Sequence, residues 1–251
     1  MGRPVDVTLV ALHGFLGEPS DWDAALADLP SAVRVVIPDY TRDLLLNPGR
    51  AGLSRWGLAF QDWRRREGLR DAVILAGYSQ GGRLALHALE ADPAGFRAVI
   101  CLSTNEGLPD EDLIARQARR QSDEEWARRF SGPQWADALK DWNAQPVFQG
   151  GSVEPRRTFR PDTGEVTTAC LRQWSLAQQK NFRPLIAREK KLLHWWVGEK
   201  DEKFRRQARE LRQAVPDLDV RALEGAGHRL LWDSPRQLGR LLNEVIGEQA
   251  R

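Results

Sequence analysis

The sequence predicts an α/β fold: a mostly parallel sheet with helices on both faces, interrupted by one helical insertion. Three observations predict it. Short continuous apolar runs alternate with stretches of helical period, the pattern of strands buried on both sides. The chain has 251 residues, 41% of them hydrophobic and 29% charged, enough for one sizeable core of ordinary globular composition. Between about Asn105 and Glu189 the alternation stops, the strand signal weakens, and Arg, Gln and Trp accumulate.

The elements follow in order. Val5–Leu12 is a β-branched apolar run and reads as the first strand. Ser20–Leu29 reads as a helix, with Ser20 or Asp21 as its N-cap. Val33–Pro38 is a second strand stopped by its proline. Leu53–Glu67 is an amphipathic helix, Ala72–Ala76 a buried strand, and Gly81–Glu90 a helix of small and apolar residues. Arg97–Leu102 closes the first half as a strand. The second half resumes with a strand at Leu192–Val197, a helix at Glu202–Ala214, a strand at Leu218–Leu223 and a helix at Pro235–Ile246. This divides the chain into a core of residues 1–104 and 190–251 and a helical lid of residues 105–189. Insertions over the carboxyl ends of parallel strands usually roof a site.

Composition excludes several classes. Lys and Arg total 37 against 35 Asp and Glu, a balance that argues against a nucleic-acid partner. No run approaches the ~18 apolar residues of a membrane helix. MGRPVDVTLVAL lacks the basic, apolar and small-residue regions of a secretory signal. Cys101 and Cys170 are too few for a disulfide scaffold or a zinc site. The expectation is a cytoplasmic enzyme without metal or organic cofactor and without a membrane partner. Nothing in the sequence speaks to oligomeric state. Ten Trp against one Met is an unusual ratio that suggests no function by itself.

The strongest local signal is Gly77-Tyr78-Ser79-Gln80-Gly81, followed by Gly82 and Arg83. It is a G-x-S-x-G turn between an apolar strand and a helix, the context in which a serine hydroxyl is raised above a sheet as nucleophile. Small neighbours let the turn close, and the helix N-terminus favours developing negative charge. A serine needs a base, and four histidines are available. His87 sits two turns into the following helix and points away. His194 lies within a strand beside Trp195 and Trp196 and reads as a packed core residue. His228, in Gly225-Ala226-Gly227-His228, follows the last strand, where the α/β-hydrolase fold places its base in the order serine, acid, histidine. The acid should follow the preceding strand, in Gly198-Glu199-Lys200-Asp201. Asp201 is the first choice and Glu199 the second; Asp201 also suits the N-cap of the helix behind it. His13, in Leu12-His13-Gly14-Phe15-Leu16-Gly17, shapes a loop whose backbone supplies oxyanion donors, here the N–H groups of Phe15 and Gln80.

These residues extend to a narrower likeness. From about Leu9 to Leu231 the sequence resembles the 2-succinyl-6-hydroxy-2,4-cyclohexadiene-1-carboxylate synthases of menaquinone biosynthesis. The first loop, the elbow with Arg83 after its glycine pair, the Arg-rich segment Arg116–Phe130, the string Asp141-Trp142-Asn143-Ala144-Gln145-Pro146-Val147-Phe148, and Gly198–Asp201 with Lys203-Phe204 are each similar to that family's motifs. The resemblance implies a lyase step. A base removes a ring proton and pyruvate is expelled from 2-succinyl-5-enolpyruvyl-6-hydroxy-3-cyclohexene-1-carboxylate, with Ser79, Asp201 and His228 as the proton-abstracting set. The implied partner is a small polycarboxylate. It implies substrate contacts at Tyr78, Arg83, Arg119 and Trp142, and at one later arginine, with Arg160 first and Arg157 or Arg172 as alternatives.

The residue types fit that chemistry, because a guanidinium grips a carboxylate through two parallel bonds. Arg116, Arg119 and Arg120 share one helix face by their i, i+3, i+4 spacing. Spacing alone also allows a solvated face paired with Glu111, Asp112 and Asp123. One loop departs from the family: Pro38-Asp39-Tyr40-Thr41-Arg42-Asp43 stands where a small Gly-His-Gly-type turn is usual. Gln80 stands where relatives often have Met or Leu, and its expected contribution is its backbone N–H. Two further readings share the scaffold, a serine carboxyl-ester hydrolase and a binding module with an inactive site; fold alone does not choose between them.

Overall fold

Six parallel strands in the order β2-β1-β3-β4-β5-β6 form the sheet of the computed structural model, which describes residues 7–151, 155–157 and 159–249. The strands are β1 (Thr8–Leu12), β2 (Arg34–Val36), β3 (Val73–Tyr78), β4 (Phe96–Leu102), β5 (Leu193–Gly198) and β6 (Asp219–Leu223). Val5 and Asp6, the start of the expected first strand, lie outside the described residues. The core helices are α1 (Asp23–Leu26), α2 (Leu53–Arg66) and α3 (Gln80–Ala91). Among the described residues, four α-helices lie between β4 and β5: α4 (Leu113–Ser131), α5 (Trp135–Asn143), α6 (Thr163–Gln173) and α7 (Arg183–Arg188). The chain ends with α8 (Glu202–Ala214), α9 (Leu230–Asp233) and α10 (Pro235–Gln249).

The apolar runs are continuous because both faces of the sheet are covered. On β1, Val10 and Leu12 join Trp56, Phe60 and Leu84 of α2 and α3 in one cluster. Leu9 and Ala11 face the other way, with Leu238 and Leu242 of α10. β3 and β4 divide alike, Leu75 and Val99 against Ala76 and Ile100. Trp22, Trp56, Trp63, Trp174, Trp195 and Trp196 are fully buried, so much of the tryptophan surplus is core. The free thiols of Cys101 and Cys170 are buried as well.

The expected helix over Ser20–Leu29 is instead a 3-10 turn, Pro19–Trp22, followed by the single-turn α1. Asp21 diverts the chain: its side chain accepts the Glu18 N–H at 3.1 Å in a reciprocal capping box. β2 keeps only three residues because it is the sheet's edge and two of them are exposed. A separate apolar cluster of Ala127, Phe130, Trp135, Ala138 and Leu171 binds α4, α5 and α6 together, and the side chains of Phe15 and Leu16 pack against it. α7 belongs to the main core through Leu185 and Ile186. No helix among the described residues is long and apolar enough to cross a membrane.

Candidate active site

A parallel sheet brings the ends of all its strands to one rim, and the sequence-predicted residues leave from that rim. Ser79 follows β3, Asp201 lies three residues beyond β5, and His228 follows β6. Ser79 has φ 52° and ψ −106°, in the strained region that few non-glycine residues occupy. The turn closes only because Gly77 and Gly81 have no side chain. A Cβ on Gly77 would meet the Gly81 carbonyl, and one on Gly81 would strike the carbonyl oxygens of Leu12 and His13.

His228 Nε2 lies 3.3 Å from Ser79 Oγ, and its Nδ1 lies 2.7 Å from Asp201 Oδ2. A carboxylate can only accept, so Nδ1 bears the proton and Nε2 presents its lone pair to the serine. The other oxygen of Asp201 accepts the Phe204 N–H at 3.2 Å and caps α8. One side chain therefore both reaches His228 and caps the helix. Glu199, the second choice, accepts the Gly225 N–H at 2.9 Å and lies exposed on the outside of the loop. The imidazole is buried among the rings of Phe204, Phe148 and Tyr78, whose centroids lie 4.6, 5.6 and 5.7 Å away.

The N–H of Gln80 is the first of α3 and has no acceptor within its helix. Neither it nor the N–H of Phe15 donates a hydrogen bond among the described residues, so both remain available beside Ser79. The Phe15 loop is held by His13, whose ring stacks on Tyr40 at 4.2 Å and whose carbonyl accepts the Tyr40 hydroxyl at 2.8 Å. Burial lowers the pKa of His13, and its Nδ1–H donates to the Gly14 carbonyl at 2.9 Å.

Ser79 and Gln80 open into a cavity whose other walls include Arg83, Arg119, Trp142 and Lys203. Arg83 is buried. Its Nε donates to Gln179 at 2.6 Å and one terminal nitrogen to the Trp174 carbonyl at 2.7 Å. Burial first, then the charge of Arg119, push its pKa down to about 9, so it stays cationic at neutral pH. Arg119 spends its Nε on Asp123, 2.9 Å from each carboxylate oxygen, and its terminal nitrogens have no protein acceptor among the described residues. The two readings of the Arg-rich helix thus coexist at Arg119, which is paired within its helix and also lines the cavity. The expected shared face does not hold. Arg116 turns to the carbonyls of Leu108, Ala177 and Gln179, and Arg120 is exposed. Much of Lys203 meets solvent, yet it reaches the cavity wall, where burial and the charge of Arg119 lower its pKa. The cavity holds three cations against one carboxylate, Asp123.

Two expected substrate contacts line neighbouring spaces instead. Tyr78 packs against Trp232 at 5.8 Å and lines a pocket with Trp142 and Phe148. Arg160, half-exposed and 3.7 Å from Glu18, lines a third pocket with Arg42 and Arg157 that shares the walls Phe15 and Cys170 with the Ser79 cavity. Of its alternatives, Arg157 is held by Asp21 at 2.6 Å and Arg172 by Glu124 at 2.7 Å on the surface. The unusual Asp39–Asp43 loop borders this third pocket through Thr41 and Arg42, and Arg42 is clamped by Asp162 at 2.8 Å.

The remaining histidines have structural surroundings. His87 is buried against Phe182, ring centroids 4.7 Å apart. His194 departs from the expected core packing. It lies only partly buried at the opposite end of β5, with Nδ1 2.7 Å from Asp219 on the neighbouring strand. The sequence reading did not single out Gln179, which orients Arg83, or Ser103 and Lys203 as cavity residues. Lys203, two residues beyond the acid, is the one whose position offered a signal.

The alpha/beta hydrolase family model matches residues 9–241. A 2-succinyl-6-hydroxy-2,4-cyclohexadiene-1-carboxylate synthase from Klebsiella pneumoniae subsp. pneumoniae is 30% identical over 258 residues, covering 98% of this chain and 96% of the relative. A synthase of the same name from Citrobacter koseri is 32% identical over 253 residues, with the same coverage of 98% and 96%. Among solved structures, MenH from S. aureus aligns with a TM-score of 0.81 over 98% of this chain and 95% of that one. Its 20% identity makes that a likeness of fold.

Proposed function

We propose, from the premise that the chain belongs to the 2-succinyl-6-hydroxy-2,4-cyclohexadiene-1-carboxylate synthase family, a lyase family within the α/β hydrolases, that it eliminates pyruvate from 2-succinyl-5-enolpyruvyl-6-hydroxy-3-cyclohexene-1-carboxylate. The observation that supports this best is the charge of the cavity. The substrate carries three carboxylates, and the space beside Ser79 is lined by Arg83, Arg119 and Lys203. A site for a neutral ester has no use for three cations.

In this reading Ser79 Oγ takes the ring proton as its own proton passes to His228 Nε2, and Asp201 stabilises the imidazolium through Nδ1. The electron pair of the broken C–H bond forms a new ring double bond, and the existing ring double bond shifts one position, onto the carbon that bears the enolpyruvyl oxygen. The C–O bond to the enolpyruvyl group breaks, and its electrons leave with the oxygen. The departing enolate takes up a proton and becomes pyruvate, while the ring is left as the cyclohexadiene. The N–H groups of Phe15 and Gln80 stabilise negative charge developing on a substrate oxygen. Residues 105–189 serve as the lid that excludes water, through α4 to α6.

The test is a pyruvate-coupled assay with the cyclohexene tricarboxylate. Pyruvate release that disappears in Ser79→Ala is the expected result. Absence of pyruvate, together with faster turnover of short neutral acyl esters, would replace the lyase by an esterase.

A further inference from the structure

Arg83 and Arg119 sit on different helices, α3 and α4, yet one short segment holds both. Residues 174–179 form a single 3-10 turn with its flanks, between α6 and α7. The first residue offers Arg83 the Trp174 carbonyl at 2.7 Å, and the last offers Arg83 Nε the Gln179 Oε1 at 2.6 Å. Ser175 Oγ donates to Asp123 Oδ2 at 2.6 Å, and Asp123 in turn accepts Arg119 Nε at 2.9 Å on each oxygen. The segment is itself anchored. Trp174 Nε1 donates to the Ala51 carbonyl of the core at 2.7 Å. The Ala177 and Gln179 carbonyls accept one terminal nitrogen of Arg116, on α4, at 2.9 and 2.8 Å. Trp174, Ser175 and Gln179 are all buried.

Donors and acceptors fix the orientations in this network. The Asn105 carbonyl, which can only accept, takes the Gln179 Nε2–H at 3.0 Å, so Oε1 is the end that meets Arg83. The Ser175 hydroxyl accepts the Ala177 N–H at 3.1 Å, and its own proton goes to Asp123. An untethered arginine loses much rotamer freedom when it grips a carboxylate. Two cations close enough for the charge of Arg119 to lower the pKa of Arg83 would also move apart in an open cavity. The segment opposes both effects before any ligand arrives. It leaves unused the second terminal nitrogen of Arg83 and both terminal nitrogens of Arg119. These have no acceptor among the described residues and are not among the fully covered polar atoms. We propose that residues 174–179 are a positioning strap: Gln179 aims Arg83, Ser175 aims Arg119 through Asp123, and the strap thereby sets the spacing of guanidiniums that the carboxylates of the substrate must match. This rests on the function proposed above and deepens it. Gln179 and Ser175 are positioning residues, since they act through the arginines.

The test is a pair of double-mutant cycles, read as KM and kcat for pyruvate release. Gln179→Leu, close to glutamine in bulk, should raise KM for the cyclohexene tricarboxylate roughly three- to tenfold, the worth of about one net hydrogen bond. Its kcat should change less than about twofold, because a carboxylate grip made alike in ground state and transition state appears in KM. In an Arg83→Met background the same change should raise KM no further. Ser175→Ala should behave likewise against Arg119→Ala, with about a threefold rise alone and none on top. A residue that only supports the fold gives the same factor in both backgrounds. Ser175→Ala removes a single oxygen, so the second cycle decides the matter if Gln179→Leu does not fold. Equal factors with and without the arginine, or a fall in kcat at constant KM, overturn the strap and leave the lyase reading standing. A wild type that releases no pyruvate overturns both.

Discussion

Replacing Asp201 by asparagine separates the two tasks of that side chain. The asparagine carbonyl can still accept the Phe204 N–H, now 3.2 Å from Oδ1, so α8 keeps its cap. The amide nitrogen then faces His228 Nδ1 in place of the oxygen 2.7 Å away. An N–H cannot accept from an N–H, so the imidazole proton moves to Nε2 and points at Ser79, where a lone pair is needed. A wrong tautomer of this kind costs about 10⁴-fold in kcat in a serine protease, which suggests a fall of roughly 10³- to 10⁴-fold here, about 4–5.5 kcal/mol of activation free energy. KM should change little. Asp201→Ala should lose comparable activity and also the cap, worth about 1 kcal/mol and hence about 2–4 °C in Tm. Glu199→Gln, outside the site, should leave kcat within about twofold, as is usual for surface positions. The assays are pyruvate release and thermal unfolding of all three variants. Asp201→Asn retaining more than a tenth of wild-type kcat, or Glu199→Gln matching its loss, would refute the assignment of the acid.

Arg119→Ala removes a cation whose terminal nitrogens lack a protein acceptor among the described residues. It should raise KM for the tricarboxylate roughly ten- to hundredfold, the worth of lost charge-assisted bonds, and leave a neutral ester nearly unaffected; equal effects on both would count against a carboxylate contact. His87→Leu should flatten the acid side of the stability profile. Burial, aided by the charges of Arg83 and Lys180, holds His87 down to about 3, below its ordinary 6.5. It stays neutral in the fold while the unfolded chain takes up a proton, so stability falls with pH from about 6.5 towards 3. The wild type should lose about 2 kcal/mol through this group between pH 7 and 5, and urea denaturation should show the variant spared that loss. Gly81→Ala drives a methyl into two carbonyl oxygens. It should cost on the order of 3 kcal/mol, seen as a Tm lowered by about 6–12 °C, and abolish pyruvate release; a stable, active variant would show that the turn tolerates a side chain.

The sheet and the Ser79–Asp201–His228 set were legible because their signals are local. Each central strand is a mainly apolar run, the elbow is five consecutive residues, and Asp201 and His228 follow their strands at the expected points. The preference for Asp201 over Glu199 rested on four consecutive residues, and Asp201 is the one of the two that stands 2.7 Å from His228. What escaped depends on partners distant in the chain. His194 looks like a core residue beside Trp195 and Trp196, yet Asp219 draws it into a hydrogen bond from the adjoining strand. Arg116, Arg119 and Arg120 share a helical spacing but meet three environments, because loop carbonyls near Leu108 and Ala177 capture the first. Tyr78 and Arg160 line spaces adjoining the Ser79 cavity, which no spacing rule distinguishes from the cavity itself. Ser103 has no sequence signature at all, since its left-handed backbone, φ 43°, exists only once β4 is paired.

The apolar cluster that unites α4, α5 and α6 has an architectural consequence. Those helices cohere through contacts of their own and also meet the core at several points, through Phe15 and Leu16, through Cys170 in the main cluster and through the Arg42–Asp162 pair, so the upper storey is a module bolted to its base in several places. Side chains of that storey can therefore vary around the Ser79 cavity, while Ser79, Asp201 and His228, carried at strand ends up to 149 residues apart in sequence, keep their places on a constant foundation.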